Sequence, residues 1–288
     1  MQRMHDASAG AGYNCAHMNT PHRSRPWRPT PLISVALILH PGALAAWLIW
    51  PQSWPWGLAA VVFSHLALTA AGLWPRSRLL GPNITRLPQA AIGRGEIALT
   101  IDDGPEPSVT PAVLDLLERH GARASFFCIG ERAAAYPDLI AEIVRRGHTV
   151  ENHSHYHRHH FSLFGPKRIR HDLNKAQAQL TALAGSRPQF FRAPAGLRNP
   201  FLEPVLAALG LQLASWTRRG FDTRETRPDM VLARLTRDLA AGDILLLHDG
   251  HCARTPERRV VILEVLPPLL DTIRAAKLHP VTLRQALQ

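Results

Sequence analysis

The stretch Glu96-Ile97-Ala98-Leu99-Thr100-Ile101-Asp102-Asp103-Gly104-Pro105 decides how the rest of the chain is read. Apolar residues fill Ile97–Ile101, as in a strand buried on both faces, and two adjacent carboxylates follow before a Gly-Pro turn. A helix-like segment, Pro111–Arg119, comes next, and the same alternation recurs to the C-terminus. Further strand-like runs fall at Ala124–Ile129, Thr149–Val150, Phe190–Arg192, Leu211–Trp216, Asp243–Leu247 and Pro280–Leu283. Helix-like runs lie between them at Ala133–Arg146, Lys167–Leu183, Pro200–Leu209, Pro228–Ala240 and Val260–Ala276. Pro111 and Pro228 stand in first turns, and Gly121, Gly147 and Gly210 sit just past helix ends. This alternation over residues 96–288 predicts an α/β fold around a parallel sheet, open or closed as a barrel. In such folds chemistry gathers at the C-terminal ends of the strands, where the polar motifs of this chain fall.

The chain has 288 residues, 46% of them hydrophobic, enough for a sizeable core. Three scattered cysteines, Cys15, Cys128 and Cys252, exclude a disulfide framework and a cysteine-based zinc module. The net charge of +11 raises nucleic acid as a partner, but its distribution argues against one. Residues 1–93 carry seven Arg against a single acid, Asp6, and this region is also the most apolar. There is no basic block longer than two residues and no aromatic–basic interleaving. Pro31–Trp50 and Trp56–Trp74 hold no charged residue and are long enough to cross a hydrocarbon core, with Trp47, Trp50, Trp54, Trp56 and Trp74 near their ends. Arg3, Arg23, Arg25 and Arg28 precede the first span, Arg76, Arg78 and Arg86 follow the second, and the link Pro51–Pro55 is uncharged. By the positive-inside rule this is a hairpin with both ends in the cytoplasm, in a multi-pass protein of the inner membrane. A signal peptide followed by a buried helix is the competing reading, and a single span would leave the remainder outside, in the periplasm or beyond. The expected organisation is a disordered basic leader (1–31), a two-helix membrane anchor (32–75), a linker (76–95) and a catalytic domain (96–288).

Five motifs carry chemistry. Asp102 and Asp103 end a strand, a placement that suits one metal ligand and one general base. Residues 148–160 hold six histidines, and His153 and His157 would share a face if this stretch were helical. Two His and a carboxylate form a catalytic divalent-metal set, but His155 and His159 have the same spacing, so spacing leaves the pair open. In Phe191-Arg192-Ala193-Pro194-Ala195-Gly196 the Arg can hold a carboxylate by a bidentate pair, and the Pro-x-Gly turn can aim an N–H at an oxyanion. The fourth motif is Trp216-Thr217-Arg218-Arg219-Gly220-Phe221-Asp222-Thr223. The fifth, Asp243-Ile244-Leu245-Leu246-Leu247-His248-Asp249-Gly250, ends a buried-type strand in a His able to donate a proton, with an Asp able to orient it.

Taken in this order, the motifs from about Glu96 to Gln288 resemble the polysaccharide deacetylase family, the chitooligosaccharide-deacetylase homology domain of carbohydrate esterase family four. The resemblance implies a distorted (β/α) barrel of about seven units and metal-dependent removal of an N-acyl group from an amino sugar in a glycan or glycolipid. It also implies Asp103, His153 and His157 as metal ligands, Asp102 as base, Arg192 as the residue that orients it, His248 as acid and Asp222 as its support. Leu246 is implied in the acetyl pocket, and Ala195 and Trp216 are counted with it around the substrate. Zinc is the expected ion, with cobalt or nickel as alternatives. Such an ion would lower the pKa of a water and polarise the amide carbonyl.

Departures from the family pattern are Ala193 and Ala195 in place of Pro and an aromatic residue, Arg219 in place of an Asp, and Thr223 in place of Trp. They leave the hydrolytic set intact and alter the sugar groove, so a long chitin-like polymer fits less well. With the barrel beside the inner leaflet, a lipid-linked amino sugar, as substrate of a deacylase or deformylase, becomes the alternative. A non-catalytic, membrane-anchored sugar-binding module is a further one. It would be expected to lack one of Asp102, Asp103, His153, His157 or His248, and all five are present.

Overall fold

A computed structural model describes residues 24–288, so the larger part of the expected leader lies outside the described residues. The elements in chain order begin with α1 (Pro31–Ile49), α2 (Trp54–Leu73), α3 (Gln89–Gly93), β1 (Glu96–Asp102), α4 (Thr110–Arg119), β2 (Ser125–Cys128), α5 (Gly130–Ala135), α6 (Pro137–Arg145) and β3 (Thr149–Asn152). They continue with α7 (Pro166–Ala184), β4 (Phe190–Phe191), α8 (Leu202–Leu209), β5 (Gln212–Leu213), β6 (Arg218–Arg219) and α9 (Pro228–Thr236). The last are β7 (Ile244–His248), α10 (Val261–Ala275), β8 (His279–Val281) and α11 (Leu283–Ala286).

The strands form a curled parallel sheet in the order β5-β4-β3-β2-β1-β7-β6, with β8 paired to the first half of β1. This is the distorted α/β barrel of about seven units that the alternation and the family resemblance imply. All seven residues of β1 are buried. Its Ile97, Leu99 and Ile101 pack outward in one core with Val113 and Leu117 of α4 and Leu266 and Leu269 of α10. Ala98 packs inward with Phe127, Phe190 and Ile244. Alternation along the strand then turns Thr100 and Asp102 into the barrel. Each fully buried Leu or Ile contributes about 1.5–3 kcal/mol, so this register is strongly fixed.

The end strands β5 and β6 do not pair with each other. Residues 84–87 run through the gap between them. The Ile84 N–H donates to Leu213 O at 2.9 Å and the Ser215 N–H donates to Ile84 O at 2.8 Å. Thr217 Oγ1 donates to Thr85 O at 2.8 Å, and the Leu87 N–H donates to Gly242 O at 2.8 Å. Residues 76–95, expected as a linker, thus carry buried side chains, among them Leu80, Asn83, Leu87 and Ala91.

Three local expectations change. Ala133–Arg146 is two helices, because Pro137 drives Tyr136 out of the helical region (φ −131°, ψ 62°) and restarts the helix at its own position. The helix from Pro228 stops at Thr236, before Asp238 at φ 51°. The Leu211–Trp216 run contributes only two ladder residues, since Ala214 and Ser215 turn to meet Ile84. The short β6 was not expected, because two arginines carry no apolar alternation.

Helices α1 and α2 are joined by a single 3-10 turn, Pro51–Ser53, into an antiparallel hairpin. Both are long and apolar enough to cross a membrane. Only 11% and 17% of their apolar windows are buried, and Ile38, Trp56 and Phe63 are 73%, 80% and 74% exposed. Burial in the barrel core therefore does not account for their apolarity. Both domain-proximal ends are tied to the barrel side. Thr30 Oγ1 donates to Leu79 O at 2.6 Å, and the Arg198 N–H donates to Gly72 O at 3.2 Å.

Candidate active site

The C-terminal ends of β1, β3, β4 and β7 converge on one pocket of about 260 Å³. Eight of the ten residues singled out in the sequence line it: Asp102, Asp103, His153, His157, Ala195, Trp216, Leu246 and His248. The other two, Arg192 and Asp222, lie behind Asp102 and His248 respectively and are fully buried.

Arg192 uses every edge of its guanidinium. Nη1 donates to Asp102 Oδ1 at 2.6 Å and to Thr100 Oγ1 at 2.9 Å, Nε to Ala214 O at 3.1 Å, and Nη2 to Ser215 O at 2.8 Å. The group lies 4.1 Å from the Phe127 ring centroid. The pair with Asp102 is therefore monodentate rather than the bidentate clamp expected, because backbone carbonyls occupy the remaining donors. Burial, opposed by Asp102, pulls the Arg192 pKa below its ordinary value.

Asp103 stands at φ 74°, which swings its carboxylate out of the strand toward two imidazoles. His153 Nε2 and His157 Nε2 lie 3.2 and 3.1 Å from the same oxygen, Asp103 Oδ1, and one ligand atom from each residue lies within 4.8 Å of the others. The two histidines meet through a turn, not through the helix that their spacing suggested. Ser154 and His157 have φ 67° and 47°, the Ser154 N–H donates to Asn152 Oδ1 at 2.8 Å, and the His157 N–H donates to Ser154 Oγ at 3.0 Å. His155, one alternative by spacing, faces away, with its ring against Tyr156 and its backbone N–H on Asp172 Oδ1.

The donor chemistry fits a divalent cation. Asp103 Oδ1 is buried without a hydrogen bond among the described residues. The contact of His153 Nδ1 with Arg192 O at 2.8 Å fixes that nitrogen as the donor and turns the Nε2 lone pair toward Asp103. Burial and the neighbouring His153 press His157 down to about 4, so its imidazole is neutral at pH 7. Burial also opposes charge on His153, but Asp102 and Asp103 outweigh it and raise its pKa above the ordinary value.

Across the pocket His248 Nδ1 donates to Asp222 Oδ1 at 2.8 Å, and the His248 backbone N–H donates to Asp222 Oδ2 at 2.7 Å. Burial disfavours the imidazolium, yet Asp222 overrides it and raises His248 to about 9, leaving it protonated at neutral pH. The Ala195 turn, at φ 55°, leaves its N–H without an acceptor among the described residues.

The sequence profile of the polysaccharide deacetylase family matches residues 90–214. The chain is 34% identical over 158 residues to a chitooligosaccharide deacetylase of Azorhizobium caulinodans, which covers 54% of this chain and 75% of that one. It belongs to the polysaccharide deacetylase family. A peptidoglycan-N-acetylglucosamine deacetylase of Bacillus cereus is 31% identical over 175 residues, 60% of this chain and 81% of its own. Among solved structures, a family 4 carbohydrate esterase from Streptomyces lividans in complex with acetate aligns with a TM-score of 0.59 and 30% identity over 65% of this chain and 91% of that one.

In this polysaccharide deacetylase the departing residues face the pocket. Ala193, Ala195, Arg219 and Thr223 all line it. His159, the other alternative by spacing, lines it as well, and so do Arg224 and His251, which were not singled out. His251 Nδ1 reaches within 3.3 Å of Asp103 Oδ2, and its place three residues past His248 was a readable signal. Asp249 was weighed only as a partner for the strand-end His. It instead accepts from Thr110 Oγ1 at 2.5 Å, and burial drives its pKa up to about 7. Its contact with Gly104 explains that glycine, since a Cβ there would lie 2.5 Å from both carboxylate oxygens.

Proposed function

We propose that this chain is a membrane-attached, zinc-dependent hydrolase that removes an N-acetyl or other N-acyl group from an amino sugar in a glycan or glycolipid. One observation carries the reading. A carboxylate clamped by a buried arginine, a three-ligand cluster and an Asp-supported imidazolium face one another across a single small pocket. Asp103, His153 and His157 would hold the ion, and two imidazoles with one carboxylate suit zinc, with cobalt or nickel as substitutes. Bound there, the ion supplies Lewis-acid polarisation of the amide and a lowered pKa for the attacking water.

The chain's own residues supply the rest. Asp102, its position set by Arg192, takes the proton from the water that attacks the acyl carbon. The Ala195 N–H stabilises the oxyanion that develops there. The amide C–N bond breaks as His248 gives its proton to the leaving nitrogen, and the products are a free amine and a carboxylic acid. Trp216 and Leu246, both buried, wall off an apolar space for the acyl methyl.

We place the hairpin across the inner membrane with the barrel on the cytoplasmic side. Arg25 and Arg28 before α1 and Arg76, Arg78 and Arg86 after α2 support this orientation, and the Pro51–Pro55 link is uncharged.

The test uses the full chain in detergent, loaded with zinc and offered N-acetylated amino-sugar oligomers and glycolipids. Acetate release should require the ion. Asp102→Asn should lower turnover by about 10²–10⁴ with metal still bound. Wild-type turnover in that variant refutes the assignment, and unchanged metal stoichiometry in His153→Ala/His157→Ala refutes the ligand set.

A further inference from the structure

Strand β6 turns its two arginines to different tasks. Arg218 pairs with Asp243 at 2.5 Å. Arg219 lines the catalytic pocket, and it forms no ion pair among the described residues. Its Nε is buried without a hydrogen-bond partner. The guanidinium is held 5.3 Å from the Trp216 ring and 5.1 Å from the Phe221 ring, so its position is fixed by aromatic faces rather than by an acid. Arg224, exposed and likewise unpaired among the described residues, lines the same pocket. A buried donor left open in a binding pocket is costly unless the ligand supplies the acceptor. The fork of a guanidinium matches phosphate geometry. A neutral N-acetylated glycan offers no such anion.

A second observation lies next to the first. Between the hairpin and the barrel runs an apolar cleft of about 590 Å³, walled by Ala36 and Leu37 of α1, Leu68 and Leu73 of α2, and Leu163 and Phe201 of the barrel loops. Leu163 is 82% exposed and Phe201 50%, so the barrel contributes apolar side chains to the surface that the hairpin presents to lipid. The cleft and the catalytic pocket lie on either side of one short loop. Arg198 lines the cleft and Gly196 lines the pocket, two residues apart. Behind them Gly72 and Pro75, at the end of α2, pack so tightly that a Cβ on Gly72 would lie 2.2 Å from Arg198 O. A Cβ on Gly196 would lie 2.8 Å from Pro75 Cβ. An apolar cleft along the hairpin and, across the loop 196–198, a pocket with unpaired guanidinium groups together have the polarity profile of one amphiphile.

Resting on the N-acyl amino-sugar reading above, we propose that the substrate is an amino sugar joined through phosphate to a membrane lipid. Arg219, with Arg224, receives the phosphate, and the cleft between hairpin and barrel takes the lipid chain. The reaction is unchanged: water and the N-acyl amide give the free amine and the carboxylic acid, and the phosphate linkage stays whole.

The test uses the full chain in lipid nanodiscs with four substrates. These are polyprenyl-phosphate-linked N-acetylglucosamine, N-acetylglucosamine 1-phosphate, a long-chain alkyl N-acetylglucosaminide, and water-soluble tetra-N-acetylchitotetraose. The polyprenyl phosphosugar should have the highest kcat/KM, about tenfold or more above any of the others. Arg219→Gln should cost the two phosphate-bearing substrates about tenfold more than it costs the alkyl glycoside, chiefly through KM, with Arg219→Lys recovering part of the loss. Leu163→Asp, at an exposed position that folding does not need, should cost the two lipid-bearing substrates about fivefold more than the soluble ones. Equal losses across substrates in either variant overturn the proposal, as does a wild-type preference for the chitotetraose. Failure to hydrolyse any of the four with metal bound refutes the hydrolase reading, and this inference with it.

Discussion

Replacing Asp222 by asparagine tests the pairing that keeps the proposed acid protonated. In the wild type His248 is fully enclosed, and burial alone would drive its pKa below 6.5. Asp222 reverses that by contacting both the ring and the backbone of the same residue. The rise from 6.5 to about 9 corresponds to roughly 3 kcal/mol favouring the imidazolium. The substitution Asp222→Asn keeps the size of the side chain and removes its charge, so only the charges of Asp102 and Asp103 still oppose burial. A group with a pKa of about 9 is roughly 97% protonated at pH 7.5, and one at 6.5 only about 9%. Turnover at pH 7.5 should therefore fall by up to about tenfold. The alkaline limb of the kcat profile should move from the region of pH 9 toward 6.5. Acetate release measured from pH 5 to 10, alongside the imidazole chemical shifts of His248, reads both quantities. An alkaline limb that stays in place in Asp222→Asn would show that another group supplies the proton.

Gly104→Ala should destabilise the fold by about 1–3 kcal/mol, read as a lower Tm. The new Cβ would press on the Asp249 carboxylate, which Thr110 and the Gly250 N–H hold in place. Zinc at about 100 times its Kd should raise stability by about 2.7 kcal/mol, and His153→Ala/His157→Ala should abolish that gain in calorimetry. The gain should shrink as pH falls, because the ion must displace the proton that Asp102 and Asp103 favour on His153. A reporter active only in the cytoplasm should work when fused after Gln288, and activity of a periplasm-only reporter there would reverse the orientation proposed.

What could be read in the sequence was whatever rests on local pattern. The apolar run before Asp102 gave the central strand, the strand–helix alternation gave the barrel, and two uncharged stretches flanked by arginines gave the hairpin. The site was legible to the extent that strand ends attract chemistry. Pattern alone left two things open. The choice of His153 and His157 over His155 and His159 depends on positive-φ turns at Ser154 and His157, which spacing does not encode. The role of Arg192 depends on four acceptors drawn from β1 and from the segment after β5. The seating of α2 against the loop 196–198 could not be foreseen either, since it joins residues more than 120 positions apart through glycines that look like ordinary membrane-helix and turn residues.

The strip of chain at 84–87 has a practical consequence for anyone who handles this protein. It sits between the anchor and β1 in sequence, yet it fills the seam between β5 and β6. A fragment trimmed to begin at Glu96 would bare the Leu213 and Gly242 carbonyls and the Ser215 N–H, and it would take Leu87 and Ala91 out of the inner core. Trimming only the two apolar helices, while keeping Pro75 onward, preserves those bonds but strips Gly72 from the back of the loop that shapes the pocket. Cutting the anchor away is therefore not a neutral route to a soluble fragment, and the shortest piece that keeps every stave of the barrel begins upstream of Ile84.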